Sequence, residues 1–324
     1  MVPNLVKCRK RRRTYRSSLT EGPLTINNIE LFRETLAPIE NDDRLEQLTR
    51  RAIDETYVVE EGFTSSKQPH YAETDVSFEE SLTLITAYKL ADSGKKTAVL
   101  YFANPVEPGG GVLRGANAQE EYLCRASNLY PCLSGPGGAA YYRHHNELLE
   151  ANQDNGVFLG TDTIIYSPSV TFFREDQSYR PEDDSCNPVQ EYTDRWHSPD
   201  VITCAAPYFR NAEQQLPQED LLHLLSRRIT NILESAIDND VEALVLGAFG
   251  CGAFHNPPTL VAQAFQTTLL KDRYPHAFDE VVFAVKRTGW FCENVEAFET
   301  AFQTFPPTGE YVLCTESNKR GFFS

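Results

Sequence analysis

Apolar positions recur along this chain at two different spacings, and the change of spacing divides it. Over the first seventy or so residues they return every three to four positions between charged side chains. That spacing predicts two amphipathic helices, Ile29–Leu36 and Leu45–Tyr57, followed by a polar loop over 62–70. A small helical extension packed on a larger body is expected, not an independent domain. From residue 78 onward, short continuous apolar runs alternate with helical stretches. Thr97–Ala103, Thr163–Tyr166, Val201–Ala205, Ala243–Leu246 and Val281–Ala284 read as strands. Between them Leu221–Asp238 and Pro258–Asp272 read as helices, as does Gln119–Tyr130, closed by Pro131. A further helix is predicted over Phe78–Ser93, with Ser77 as its N-cap, Glu80 completing a capping box and Gly94 ending it.

Strands without a polar alternate are buried on both faces, so the pattern predicts an α/β sandwich with helices on each side of the sheet. Residues 175–200 are polar, acidic and rich in Pro and Ser, and are expected to form a long surface loop. No repeat with a period of 20 to 50 residues is visible.

Composition narrows the partners. The 324 residues carry 30 Lys and Arg against 46 Asp and Glu, a formal net charge of −16, which disfavours non-specific or specific nucleic-acid binding by an overall basic surface. A phosphate-bearing ligand held locally by backbone amides remains compatible with that charge. No stretch is long and apolar enough for a membrane-spanning helix. Lys7–Arg13 is a basic run without the apolar stretch of a secretory signal, open to reading as a nuclear-targeting cluster, an anionic-surface contact or a solvated arm. Eight cysteines, at positions 8, 124, 132, 186, 204, 251, 292 and 314, form no Cys-x-x-Cys pair. Buried free thiols in an intracellular compartment, cytoplasmic or nuclear, are expected, without disulfides or structural zinc.

Two glycine-rich segments carry the candidate chemistry. Gly109-Gly110-Gly111 is followed, seven residues on, by Gln119-Glu120-Glu121 at the start of a predicted helix. Consecutive glycines let backbone approach a bulky ligand closely. Adjacent glutamates diverge by about 100° around a helix, which suits different roles better than a facing acid and base pair. The second segment, Gly247-Ala248-Phe249-Gly250-Cys251-Gly252-Ala253-Phe254-His255-Asn256-Pro257, links a strand to a helix. Successive amides at a helix N-terminus form an anion cradle suited to a diphosphate. The Gly-Lys-Ser/Thr ending of a Walker A loop is missing, and Gly250-x-Gly252 meets His255 where a dinucleotide fingerprint carries its third glycine. His144-His145 lies on an Arg- and Asn-rich stretch and reads as a surface pair.

Asn104-Pro105-Val106-Glu107-Pro108-Gly109-Gly110-Gly111, the seven-residue spacer and Gln119-Glu120-Glu121-Tyr122-Leu123-Cys124-Arg125 together resemble the signature of microbial-type poly(ADP-ribose) glycohydrolases. Leu129-Tyr130-Pro131, Ile165–Pro168 with Phe172–Arg174, and Val201–Pro207 fit the same family, so the resemblance spans about residues 75–302. One departure stands at Tyr101, where the strand-end pattern Asn-Phe-Ala-Asn carries asparagine.

The resemblance implies a three-layer α/β/α macrodomain-like fold with a mixed sheet over 75–310, after an arm and helical extension over 1–74 and before a tail over 311–324. It implies hydrolysis of ribose–ribose O-glycosidic bonds in poly(ADP-ribose), releasing ADP-ribose without cofactor or metal, in the reversal of ADP-ribosylation and the DNA damage response. Glu121 becomes the catalytic acid/base, while Glu120 and Asn104 hold the distal ribose. Gly109, Gly110, Gly111 and Gln119 shape that end. Gly247, Ala248, Gly250, Cys251, Gly252, Ala253 and Asn256 bind the diphosphate, with Phe254 against the distal ribose. Two other readings stay open: hydrolysis of mono-ADP-ribosyl groups on protein or nucleic acid, and an ADP-ribose-binding module without turnover.

Overall fold

The computed structural model describes residues 27–151, 159–176, 190–209, 216–287 and 292–303. The basic run Lys7–Arg13, the proposed tail over 311–324 and residues 177–189 of the acidic segment lie outside these. Two helices come first, α1 (Asn28–Asn41) and α2 (Asp43–Glu55). Asn27 caps α1 through its side chain, and Asp42 ends α1 while its carboxylate accepts the Leu45 N–H of α2 at 2.9 Å. The second helix stops two residues before the predicted end. Tyr57–Val59 is a strand, β1, because its backbone pairs antiparallel with β4 (Ile164–Ser167).

The remaining strands are β2 (Asp75–Glu79), β3 (Thr97–Phe102), β5 (Phe172–Asp176), β6 (Gln190–His197), β7 (Asp200–Cys204), β8 (Ala243–Leu246) and β9 (Glu280–Ala284). Among the described residues, seven of the nine strands form one sheet in the order β1-β4-β7-β3-β8-β9-β2, in which only β4 runs against the others. The helices that follow α2 are α3 (Thr83–Asp92), α4 (Gln119–Ala126), α5 (Leu129–Ser134), α6 (Pro136–Ala151), α7 (Gln218–Asp238), α8 (Pro258–Leu269) and α9 (Cys292–Phe302).

Alternation along β3 shows why its run is apolar throughout. Ala98 and Leu100 pack into a core with α7, α8 and α9, while Val99 and Tyr101 pack into the opposite core with α1, α3, α4, α5 and α6. The predicted α/β sandwich with both faces covered is therefore the observed architecture, with a mixed and mostly parallel sheet.

Three sequence expectations are corrected. The helix expected from Phe78 starts at Thr83, because Asp75–Glu79 pairs in parallel with Glu280–Ala284 as the edge strand β2. Ser77 is thus a strand residue, and Glu80 is drawn to the Arg287 guanidinium at 2.7 and 2.8 Å, not to a capping box. The helix expected over 119–130 breaks at Ser127, whose extended backbone (φ −150°, ψ 179°) bridges to Phe172. Pro131 falls in the first turn of α5, where its missing N–H costs nothing. Parts of the expected surface loop over 175–200 instead pair as the β5–β6 hairpin. That hairpin is seated on α1 and α2 through Phe173 and Trp196 against Ile39 and Leu45, with Arg44 4.7 Å above the Trp196 ring.

Candidate active site

The strand order places a crevice between the carboxyl ends of β3 and β8. From these neighbours the chain departs in opposite directions, β3 leading towards β4 and β8 towards β9, and such switch points are where open α/β sheets bind ligands. Here the crevice is held open by a side chain. The β3–β8 register runs only from Thr97–Ala243 to Val99–Val245, whereas β3 stays paired with β7 as far as Phe102. In place of β8, the Gln119 amide serves the freed edge: Nε2 donates to the Leu100 carbonyl at 2.8 Å and Oε1 accepts the Phe102 N–H at 2.9 Å. A glutamine thereby does the work of a strand backbone, and β8 can diverge without leaving β3 unsatisfied.

The first glycine segment folds over this opening. Asn104 Oδ1 accepts the Val106 and Glu107 N–H groups at 2.8 and 3.0 Å, so of the side chain expected to hold the ribose the oxygen is committed to its own loop and Nδ2 is on offer to a ligand. Gly109 and Gly110 then take φ of +68° and +56°. A Cβ on Gly110 would lie 2.7 Å from Glu121 Oε1 and inside contact of Glu120 Oε2. The two glutamates leave α4 in different directions, yet both carboxylates bend around this one glycine.

Their partners differ. Glu121 supplies the helix N-terminus with its own cap: Oε2 accepts the Ala118 N–H at 2.8 Å and Oε1 the Gly111 N–H at 2.9 Å. Glu120 Oε1 accepts the Asn104 N–H at 2.8 Å and the Tyr101 hydroxyl at 3.3 Å. Both are buried, with 7% and 5% of Glu120 and Glu121 exposed. Burial pushes the Glu120 carboxyl well above the usual carboxylate range; the Asn104 amide pulls it back, and the neighbouring Glu121 charge adds to the rise.

Across the crevice the second glycine segment makes a succession of tight turns, with Cys251 N–H on the Ala248 carbonyl at 3.1 Å and Asn256 N–H on that of Gly250 at 3.1 Å. Gly250 takes φ +70°, and a Cβ there would meet Ala206 and the Asn256 amide. The enclosed cavity measures about 510 Å³, within the range of small-molecule sites.

Of the residues expected to bind, Asn104, Gly110, Gly111, Gln119, Glu120, Glu121, Ala248, Gly250, Gly252, Ala253 and Phe254 line this cavity. The structure puts Gly109, Gly247, Cys251 and Asn256 behind the walls. Gly109 backs onto Tyr130 and Cys124, Gly247 onto the Ala284 carbonyl, and the Cys251 thiol onto the Phe249 carbonyl. The Asn256 amide ties the Pro207 and Gly250 carbonyls together at 2.8 and 3.0 Å. Sequence reading missed Ser81–Thr83 after β2 and Val285, Lys286 and Asn294 at the far end of the cavity. The signal for them was topological: they follow strands whose position in the sheet no local pattern reveals.

His145 is not the surface residue expected. It is fully buried, Nδ1 facing the Tyr141 carbonyl at 2.9 Å and Nε2 the Thr161 hydroxyl at 3.0 Å. Burial lowers its pKa to about 4, so it sits neutral in the core. Among the described residues, no group of three or more His, Cys, Asp or Glu could hold a metal ion, and no helix is long and apolar enough to cross a membrane.

The profile of the family described as microbial-type PARG, catalytic domain, matches residues 33–175. Among solved structures, a poly(ADP-ribose) glycohydrolase from Thermomonospora curvata is similar at 28% identity and TM-score 0.72, over 85% of this chain and 99% of that one. The same enzyme bound to the inhibitor ADP-HPD aligns at 29% identity and TM-score 0.69, with the same coverage. The Deinococcus radiodurans glycohydrolase in complex with ADP-ribose aligns at 30% identity and TM-score 0.63, over 78% of this chain and 96% of that one. Among curated proteins there is no match.

Proposed function

Because the chain belongs to the microbial-type poly(ADP-ribose) glycohydrolase family, whose members are glycoside hydrolases, we propose that it cleaves ribose–ribose O-glycosidic bonds of poly(ADP-ribose) and releases ADP-ribose, with Glu121 as the single acid/base. The observation that carries this reading is the closure of two buried carboxylates around Gly110, facing a second glycine loop across a cavity of about 510 Å³. The amides of Gly250, Gly252 and Ala253, all on the cavity wall, suit a diphosphate. The arm lined by Ser81–Thr83 and Val285–Lys286, at the ends of β2 and β9, is then free for the adenosine, and the distal ribose falls under Gly110 and Gly111.

In the reaction Glu121 gives its proton to the leaving ribose oxygen as the C1″–O bond breaks. It then takes a proton from the water that attacks C1″, which restores the acid. Two backbone N–H groups hold its oxygens in place at 2.9 and 2.8 Å, so the carboxylate left after proton transfer also steadies the positive charge developing on the ring. Glu120, anchored through Oε1, turns Oε2 toward Gly110 to accept from ribose hydroxyls. The proposed catalytic unit spans residues 75–310, with α1, α2 and the edge strand β1 before it as an extension docked on it. Four buried free thiols, Cys124, Cys132, Cys204 and Cys251, suit a reducing compartment, cytoplasmic or nuclear.

Glu121→Gln is expected to abolish release of ADP-ribose from polymer while ADP-ribose binding stays measurable by calorimetry. Turnover by that variant at the parent rate would sink the mechanism. Supplying polymer and mono-modified protein side by side separates the substrates: release from the latter alone would overturn the proposed specificity. Binding without turnover of either would reduce the protein to a reader.

A further inference from the structure

Position 101, where the family's strand-end pattern carries asparagine, holds a tyrosine whose phenol lies beneath the cleft floor. Tyr101 is fully buried. The alternation of β3 turns it toward α4, where Glu120 and Cys124 are four residues apart on one helical face. Its hydroxyl lies between them, 3.3 Å from Glu120 Oε1 and 3.2 Å from Cys124 Sγ. An asparagine is shorter by most of a ring and could not span that distance from the strand.

The hydroxyl has one proton and two neighbours. The ionised Glu120 carboxylate can only accept, so in that state the phenol donates to it and the thiol donates to the phenol oxygen. Glu120 Oε1 then receives two donors, the Asn104 N–H and the Tyr101 O–H, while Oε2 stays beside Gly110.

We propose that Tyr101 is a positioning residue of this active site: its hydroxyl pins Oε1 of Glu120, so that Oε2 is presented to the cleft as a hydrogen-bond acceptor for a ribose. The inference rests on the reading of the cleft as an ADP-ribose site. It has a consequence for pH. Burial drives Glu120 toward its neutral form, and the amide of Asn104 and the phenol of Tyr101 oppose that. The other titratable groups facing it are Glu121 and Cys124 on α4, Glu107 in the glycine loop, and Tyr141 and Tyr142 on α6. The carboxylates raise the Glu120 pKa further. Burial keeps the thiol and both tyrosines neutral, their own ionisation being pushed up. Tyr101 is thus the one side-chain donor in this set that favours the Glu120 anion.

Removing its hydroxyl raises the Glu120 pKa, so the acceptor survives only at higher pH. Tyr101→Phe is expected to move the acid limb of kcat/KM to higher pH and to cost about three- to tenfold near neutrality, mainly in KM. ADP-ribose affinity measured across the same pH range should follow. Replacing Tyr101 with 3,5-difluorotyrosine keeps the shape, strengthens the donor and should move the limb the other way. In a Glu120→Gln background Tyr101→Phe should change the affinity no further. Superimposable pH profiles for all three side chains, or an equal cost of Tyr101→Phe with and without Glu120, would overturn the proposal. A parent protein that binds ADP-ribose but releases none refutes the hydrolase reading and leaves the affinity profile to decide the role of Tyr101.

Discussion

Gly110 has neither the room nor the backbone conformation for a side chain. Its φ of +56° is one that L side chains rarely adopt, and a Cβ would press on the oxygens of both Glu120 and Glu121. Gly110→Ala is therefore expected to displace both carboxylates together. Activity should fall by about 100-fold or more, with far-ultraviolet circular dichroism unchanged; an alanine variant that retains parent activity would refute the placement of the two glutamates around this glycine. At this scale the sequence was informative about residue type and poor about direction. Asn104 and Asn256 both stand out as polar residues in ligand loops, yet Asn104 spends its oxygen on an Asx turn and Asn256 spends its amide bracing two loops. Which way a short amide points depends on backbone dihedrals several residues away, and these are set by tertiary contacts.

Among the elements, the parting of β3 from β8 decides where the cleft can be, and Gln119 supports it. Gln119→Leu keeps the size of the side chain but leaves the Leu100 carbonyl and the Phe102 N–H without that partner. The expected cost is about 2–4 kcal/mol in denaturant unfolding, together with weaker ADP-ribose binding as the strand end relaxes; a loss within error of zero would show that water or β8 replaces the amide. The strands β3, β7, β8 and β9 were legible because burial on both faces requires an unbroken apolar run. The edge strands β1 and β2 were not. Tyr57–Val59 is only three residues long, Asp75–Glu79 is mixed in polarity, and neither is buried throughout, so the helical periodicity beside them extends into Tyr57 and into Phe78 and Glu79. Their partners, β4 and β9, lie over a hundred residues away in sequence.

Taken whole, the molecule also buries polar groups that do not line the cleft, and one of them contributes to its response to acid. His145 titrates at an ordinary 6.5 when exposed and at about 4 in the folded core. The folded pKa is depressed, so in the window between these values the unfolded chain binds a proton that the native state refuses. Stability is fully present above about pH 6.5 and falls as pH drops toward 4, by up to about 3 kcal/mol. His145→Gln should flatten that part of the curve in urea unfolding at several pH values; an unchanged slope would mean that other groups carry the acid response. The sequence by itself determined the alternation of buried strands and helices, the two glycine segments and the spacing that ties Gly109–Gly111 to Gln119–Glu121, because burial periodicity, backbone freedom and helix capping are local. Only the tertiary structure decided that the two segments face each other at the β3–β8 crevice, that Tyr101 lies under Glu120, and that His145 is interior. Those facts depend on strand order and on which face of each helix is covered, and both are set by the packing of distant parts of the chain.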